Sequence, residues 1–247
     1  MTNYLAALEQ RWAADQAEWR QRVATLERQI AQLTIGTVPV TSTTHPPNPA
    51  AGMQIYETDT GLTATWTGTA WSYPPQLVAQ AVLTGSQSSV RLPASGSLPQ
   101  VFTNLRLVIS AKSDGTGAAG YDSAFLQFNG ITTASYSWNS VFSVQGGAPT
   151  NASGLGASSM QCAEIWNAHF GSAGRGLVTI DIPNYSGTSN LKIFSGVSTA
   201  IDGGNISIQQ WYSGALGASN TAAISSLTVS MGTGNFVSGS VFCLYGS

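Results

Sequence analysis

Charged side chains are scarce in this chain. Its 247 residues include nine Lys and Arg and eleven Asp and Glu. Eight of these charges, Arg11, Arg20, Arg22, Arg28, Glu9, Asp15, Glu18 and Glu27, precede residue 34, which leaves twelve for residues 34–247. A segment so poor in charge, yet rich in Gly, Ser, Thr, Ala and aromatics, reads as β-structure held by burial and backbone hydrogen bonding. Five scattered basic residues cannot neutralise a phosphate backbone, so nucleic acid is not expected as a partner.

Long hydrophobic runs are missing too. No stretch of about eighteen apolar residues occurs, so no membrane insertion is expected. The amino-terminal pattern is polar and amphipathic rather than a basic patch before an apolar stretch, so the chain is expected to fold in the cytosol. Cys162 and Cys243 are the only thiols; strand-like residues flank each, and both are expected buried and unpaired. Without CxxC spacing they do not suggest zinc. His45 lies among prolines, so a Ser-His-Asp arrangement would need His169 with Asp181 or Asp202. Asp114, Asp122 and Glu164 stand isolated, without the paired carboxylates of a glycosidase. No phosphate loop, dinucleotide fingerprint or metal cluster is present. The expectation is a protein that is not an enzyme and has no catalytic residue, cofactor or metal.

The clearest pattern is a seven-residue repeat. Leu5, Trp12, Trp19, Leu26 and Leu33 recur without a slip until Gly36 and Pro39 end the helical signal. A strict heptad of this kind predicts a parallel coiled coil. With these residues at d, Val23 and Ile30 fall at a, and the g residues Asp15 and Arg22 face Arg20 and Glu27 of a neighbour with opposite charge. Arg22, Val23, Leu26 and Glu27 also resemble the trimerisation motif of short three-stranded coils. The alternative is one amphipathic helix packed on its own domain.

Four prolines between Thr37 and Ala51 predict an extended spacer. From Gly52 to Pro75, short alternating runs around Asp59-Thr60-Gly61 and Thr67-Gly68-Thr69 predict a small β-meander, with Trp66, Trp71 and Tyr73 expected to meet sister chains. Ten strand candidates follow: 81–83, 101–111, 124–128, 135–144, 160–167, 177–182, 191–197, 206–212, 223–230 and 241–245. Their spacing predicts an antiparallel jelly-roll sandwich. Gln145 to Ser159, rich in Gly, Ala, Ser and Asn, reads as a mobile loop. The expected fold is therefore mainly β: a coiled-coil stem (1–35), a Pro-rich spacer (36–51), a β-meander module (52–76) and a jelly-roll head (77–247). Trp138, Trp166, Trp211 and Tyr212 lie in or beside strands of the head and are candidate glycan contacts, against a competing role in the core.

The segment Gly234-Asn235-Phe236-Val237-Ser238-Gly239-Ser240-Val241-Phe242-Cys243-Leu244-Tyr245-Gly246 resembles the last strand of trimeric bacteriophage tail-fibre and minor tail proteins with jelly-roll heads. Leu126-Gln127-Phe128-Asn129-Gly130 with Tyr136-Ser137 is similar to that family's Phe-Asn-Gly turn, although Ile131-Thr132 stands where an Asp-Thr pair is common. Ile55 to Thr60 with Trp66-x-Gly-x-x-Trp71 is similar to a small linker module of phage tail proteins. The resemblance implies a structural virion appendage, assembled in the host cytoplasm as a homotrimer. Its N-terminal stem would contact other virion proteins, and its head a host cell-surface glycan. Two rivals are a capsid head fibre or decoration protein and a carbohydrate-binding module.

Overall fold

A computed structural model describes residues 20–23, 37–117, 120–144, 147–170, 174–201, 207–217 and 220–247. The chain divides into two compact units, Met1–Ser72 and Tyr73–Ser247.

The first unit is a four-stranded sheet of β1 (Val38–Val40), β2 (Gln54–Glu57), β3 (Leu62–Trp66) and β4 (Trp71–Ser72), in that order. β2, β3 and β4 form an antiparallel meander, while β1 adds to β2 in parallel. Val38 to Val40, placed in the spacer by its prolines, thus belongs to the sheet: Pro39 lacks an N–H, and an edge strand is where a sheet tolerates that. Ile55, Leu62 and Ala64 are buried. So is Glu57, whose carboxylate lies 2.7 Å from His45 Nε2 and accepts a hydrogen bond from Thr60 Oγ1 at 2.6 Å. A buried carboxylate persists only when partnered in this way. The Trp71 ring packs against those of His45 and Trp66, at centroid distances of 5.2 and 5.4 Å. Trp66 and Trp71 therefore find partners within their own unit.

The expectation of an N-terminal coiled coil is corrected. The structure is mainly β with several antiparallel sheets, and among the described residues no helix could form such a coil. Of the predicted stem, residues 20–23 are described, and they are helical and exposed. Arg22 and Val23 are among them. Leu5, Trp12, Trp19, Leu26, Glu27, Ile30 and Leu33 lie outside the described residues.

The second unit contains β5 (Gln76–Val82), β6 (Ser89–Leu92), β7 (Leu105–Ala111), β8 (Tyr121–Phe128), β9 (Tyr136–Val144), β10 (Thr150–Ala157) and β11 (Met160–Trp166). A single 3-10 turn at Ala168–Phe170 precedes β12 (Arg175–Ile182), β13 (Ile193–Ile201), β14 (Ser207–Leu216), β15 (Leu227–Met231) and β16 (Val241–Gly246). They build an eight-stranded sheet, β10-β9-β14-β13-β12-β7-β16-β5, and a four-stranded sheet, β11-β8-β15-β6. Every pairing in both is antiparallel. Strands β5 to β8 alternate between the sheets, as do β11, β12, β15 and β16, giving two four-strand sets ordered β5-β16-β7-β12 and β6-β15-β8-β11. That order is a double Greek key. The hairpins β9–β10 and β13–β14 are additions that widen one sheet.

Alternation explains the core. Leu105, Leu107, Ile109 and Ala111 of β7 are buried, as are Val178, Ile180 and Ile182 of β12 and Phe242 and Leu244 of β16. From the smaller sheet come Val90, Leu92, Ala124, Leu126, Phe128, Leu227 and Val229. Phe236 meets Phe242 edge-on at 5.0 Å. The corner after β8 is set by Asn129 and Gly130, at φ 54° and 67°, a conformation that Asn and Gly tolerate best. Asn129 Oδ1 accepts from the N–H of Ser225 and of Ser226, and its Nδ2 donates to Ala223, tying this corner to the approach to β15.

All seven residues of β11 are buried, because the strand also packs against β12, β13, β14 and β9 of the wide sheet. Trp166 lies there with Ala200 and Ile208, and Tyr121 and Val144 pack against them. Glu164 shares this covered strand. It accepts hydrogen bonds from Ser123 Oγ and Gln161 Nε2, and burial pushes its carboxyl up to about 7 against the opposing pull of those bonds.

Candidate binding face on the wide sheet

The register of the wide sheet sorts its outward side chains into rows that run across the strands. One row is polar: Arg106, Asp181, Ser195, Ser213, Asn139 and Ser153 stand opposite one another from β7 through β12, β13, β14 and β9 to β10. Two residues along, the parallel row is Val108, Thr179, Val197, Trp211 and Val141. On the other side of the polar row lie Ile193, Ala215, Ser137 and Leu155. Small hydroxyl and amide side chains thus form a floor, with a mainly apolar row on one side and a mixed row, apolar at Ile193 and Leu155, on the other.

The consequence is a pair of adjoining grooves of about 570 and 500 Å³, which share Asn139, Ser195 and Ser213. Trp211 is 53% exposed on one wall, and Leu155 at the end of the other is 92% exposed. Charge on the floor is self-cancelling: Arg106 Nε and Nη2 donate to the two carboxylate oxygens of Asp181 at 2.7 and 3.2 Å, and this pairing holds the guanidinium above its usual range. Among the described residues, the side chains of Asn139, Ser195 and Ser213 engage no hydrogen-bond partner, so their donors and acceptors face solvent. A groove with this lining can hydrogen-bond a hydroxylated ligand along its floor and offer it an indole face from the side.

The four aromatics singled out from the sequence fare differently. Trp166 and Tyr212 are buried. The Tyr212 ring covers Gly196, where an added Cβ would come within 2.5 Å of it. Trp138 lies over Gly154, at a corresponding distance of 2.4 Å. Trp211 alone of the four stands well open to solvent. The floor residues Asn139, Ser195 and Ser213 were not singled out, although each follows an aromatic residue in its own strand. Only the register brings them into line.

The remaining chemistry-bearing residues do not converge. His169 sits in the 3-10 turn, Asp181 is engaged by Arg106, and Asp202 is outside the described residues. Asp122 accepts hydrogen bonds from Ser113 and Thr233, and Asp114 from Asn235. Among the described residues no group of three His, Cys, Asp or Glu is placed to hold a metal. Cys162 is buried and Cys243 half-buried, and neither is in a disulfide. Comparison with known proteins yields no matching family model, no similar curated protein and no similar solved structure.

Proposed function

We propose that this chain is a structural bacteriophage virion protein of the tail-fibre or minor tail kind, a homotrimer whose β-sandwich meets the host surface. The observation that carries the reading is the C-terminal segment Phe236 to Gly246, which resembles the last strand of such proteins. Its apolar positions Phe236, Phe242 and Leu244 are wholly buried, and β16 sits between β5 and β7 in the wide sheet. Tyr245 of the same segment is exposed. A near-absence of charge and a face built for contact suit an appendage better than a soluble catalyst.

Immunogold labelling of purified virions with an antibody to residues 73–247 tests the reading, with label expected on the tail or its fibres. Label at capsid vertices would favour a head fibre or decoration protein, and unlabelled particles would overturn the assignment. Light scattering of the purified chain checks the association state, with three copies expected. A carbohydrate-binding module is the second reading, favoured by the groove beside Trp211.

A further inference from the structure

The groove deepens the proposed function by naming what it holds. We infer that the groove across β12, β13, β14 and β9 binds a linear, uncharged glycan, lying along the polar row with its sugar rings against Trp211. The inference rests on the head being the part that meets the host surface.

Three features select this ligand over others. The groove is elongated: its floor crosses the four strands β12, β13, β14 and β9, roughly 14 Å at a strand spacing of about 4.8 Å, which is long enough for successive pyranose rings. Its floor is a file of hydroxyl and amide groups, Ser195, Ser213 and Asn139, aligned by the ladder itself. Those groups exchange donor and acceptor roles freely, as a polyhydroxylated ligand requires. Its wall carries the exposed indole of Trp211, directly between Val197 and Val141, and the apolar C–H face of a pyranose stacks on such a surface.

Electrostatics sets the charge class. The Arg106–Asp181 pair sums to zero at one end, and the other groove-lining residues are uncharged. An anionic polymer would need clustered Lys or Arg that the groove does not have. A peptide strand would choose the backbone of a sheet edge rather than a row of side chains perpendicular to the strands. The site is the outer face of a continuous ladder, so its geometry is fixed before the ligand arrives, and little ordering cost attends binding.

The test uses the full chain on a microarray of neutral and anionic bacterial polysaccharides, followed by titration calorimetry with an oligosaccharide cut from any neutral polymer that is retained. Binding of a neutral polymer is expected, with Trp211→Ala weakening it at least tenfold and Ser213→Arg, which fills the floor of the groove, abolishing it. Tyr56→Ala, at an exposed aromatic of the first unit, should bind as the parent does. Retention of anionic polymers alone would overturn the charge class, and unchanged binding by both groove variants would overturn the location. A chain that binds no polysaccharide, or one that dissociates into single copies on the Ser213→Arg change, would overturn the inference by giving the face to another partner. Virion labelling is read separately. Labelled particles with a glycan-blind protein would sink this inference alone, whereas a glycan-binding protein absent from virions would sink the appendage reading.

Discussion

Glu164 is a carboxylate on a fully buried strand, and its environment ties stability to pH. Its carboxyl is pushed from 4.5 up to about 7, chiefly by burial, with Ser123 and Gln161 hydrogen bonds pulling the other way and the charge of Asp122 adding to the rise. A raised value in the folded state means that the fold binds the proton more tightly than the unfolded chain does. The contribution is therefore complete below about 4.5 and declines as pH rises through about 7. At about 1.4 kcal/mol per pH unit the whole span is worth about 3 kcal/mol. Glu164→Gln, which cannot ionise, should be more stable than the parent at pH 8 by up to that amount and gain little at pH 4.5. Urea midpoints of both proteins at the two pH values decide it, and an equal difference at both would show that the carboxyl titrates normally. The same scale shows why the candidate aromatics could not be ranked from sequence. Trp211 and Tyr212 are neighbours of like character, and strand parity alone exposes one and buries the other.

Elements were legible where alternation was strong. Leu177 to Ile182 alternates cleanly, and β12 buries Val178, Ile180 and Ile182 as that pattern requires. Thr150 to Ala157 does not: Thr-Asn-Ala-Ser-Gly-Leu-Gly-Ala has the composition of a loop, yet it is β10, an edge strand paired with β9 along its length. Pairing supplied by a neighbour overrides weak strand propensity. What the sequence conceals here is a set of cross-strand pairs between aromatics and glycines. Trp138 stands opposite Gly154, Tyr212 opposite Gly196, and Phe194 opposite Gly214. In each pair the ring lies where the glycine's Cβ would be, within 2.3 to 2.5 Å, a way of covering a glycine that would otherwise weaken a strand. The pairs sit in the added hairpins that carry the groove, on the opposite face of the ladder from its floor. Gly196→Ala would place a methyl 2.4 Å from the Thr179 carbonyl oxygen and 2.5 Å from the Tyr212 ring. Backbone on one side leaves no room to yield, and a loss of about 1–3 kcal/mol is expected from overpacking. Chemical denaturation measures it; Gly85→Ala, whose Cβ would meet nothing within 4 Å, should leave the midpoint nearly unchanged.

At the scale of the molecule, two units of unequal resource share one chain. Among the described residues, Tyr73–Ser247 has twelve strands and a core drawn from both sheets, well above the size at which a single domain sustains itself. The first unit has one small sheet whose buried apolar residues are Ile55, Leu62 and Ala64, and a core of that size is marginal in water. Residues 37–51 read as a spacer ahead of a meander module (52–76), and β1 joins part of that stretch to the meander, while the two compact units meet at Ser72 and Tyr73. The heptad pattern that dominates the sequence before Gly36 has no counterpart among the described residues beyond one helical turn. Local periodicity states what a helix could bury, whereas a coil exists only if partners are present to bury it. A fragment of residues 73–247 should consequently fold alone, with one cooperative transition whose midpoint matches the main transition of the full chain within a few degrees. Calorimetry of fragment and full chain compares them directly. A fragment that aggregates or melts without a sharp transition would mean that the sandwich depends on what precedes it, and the groove would then have to be studied only in the intact chain.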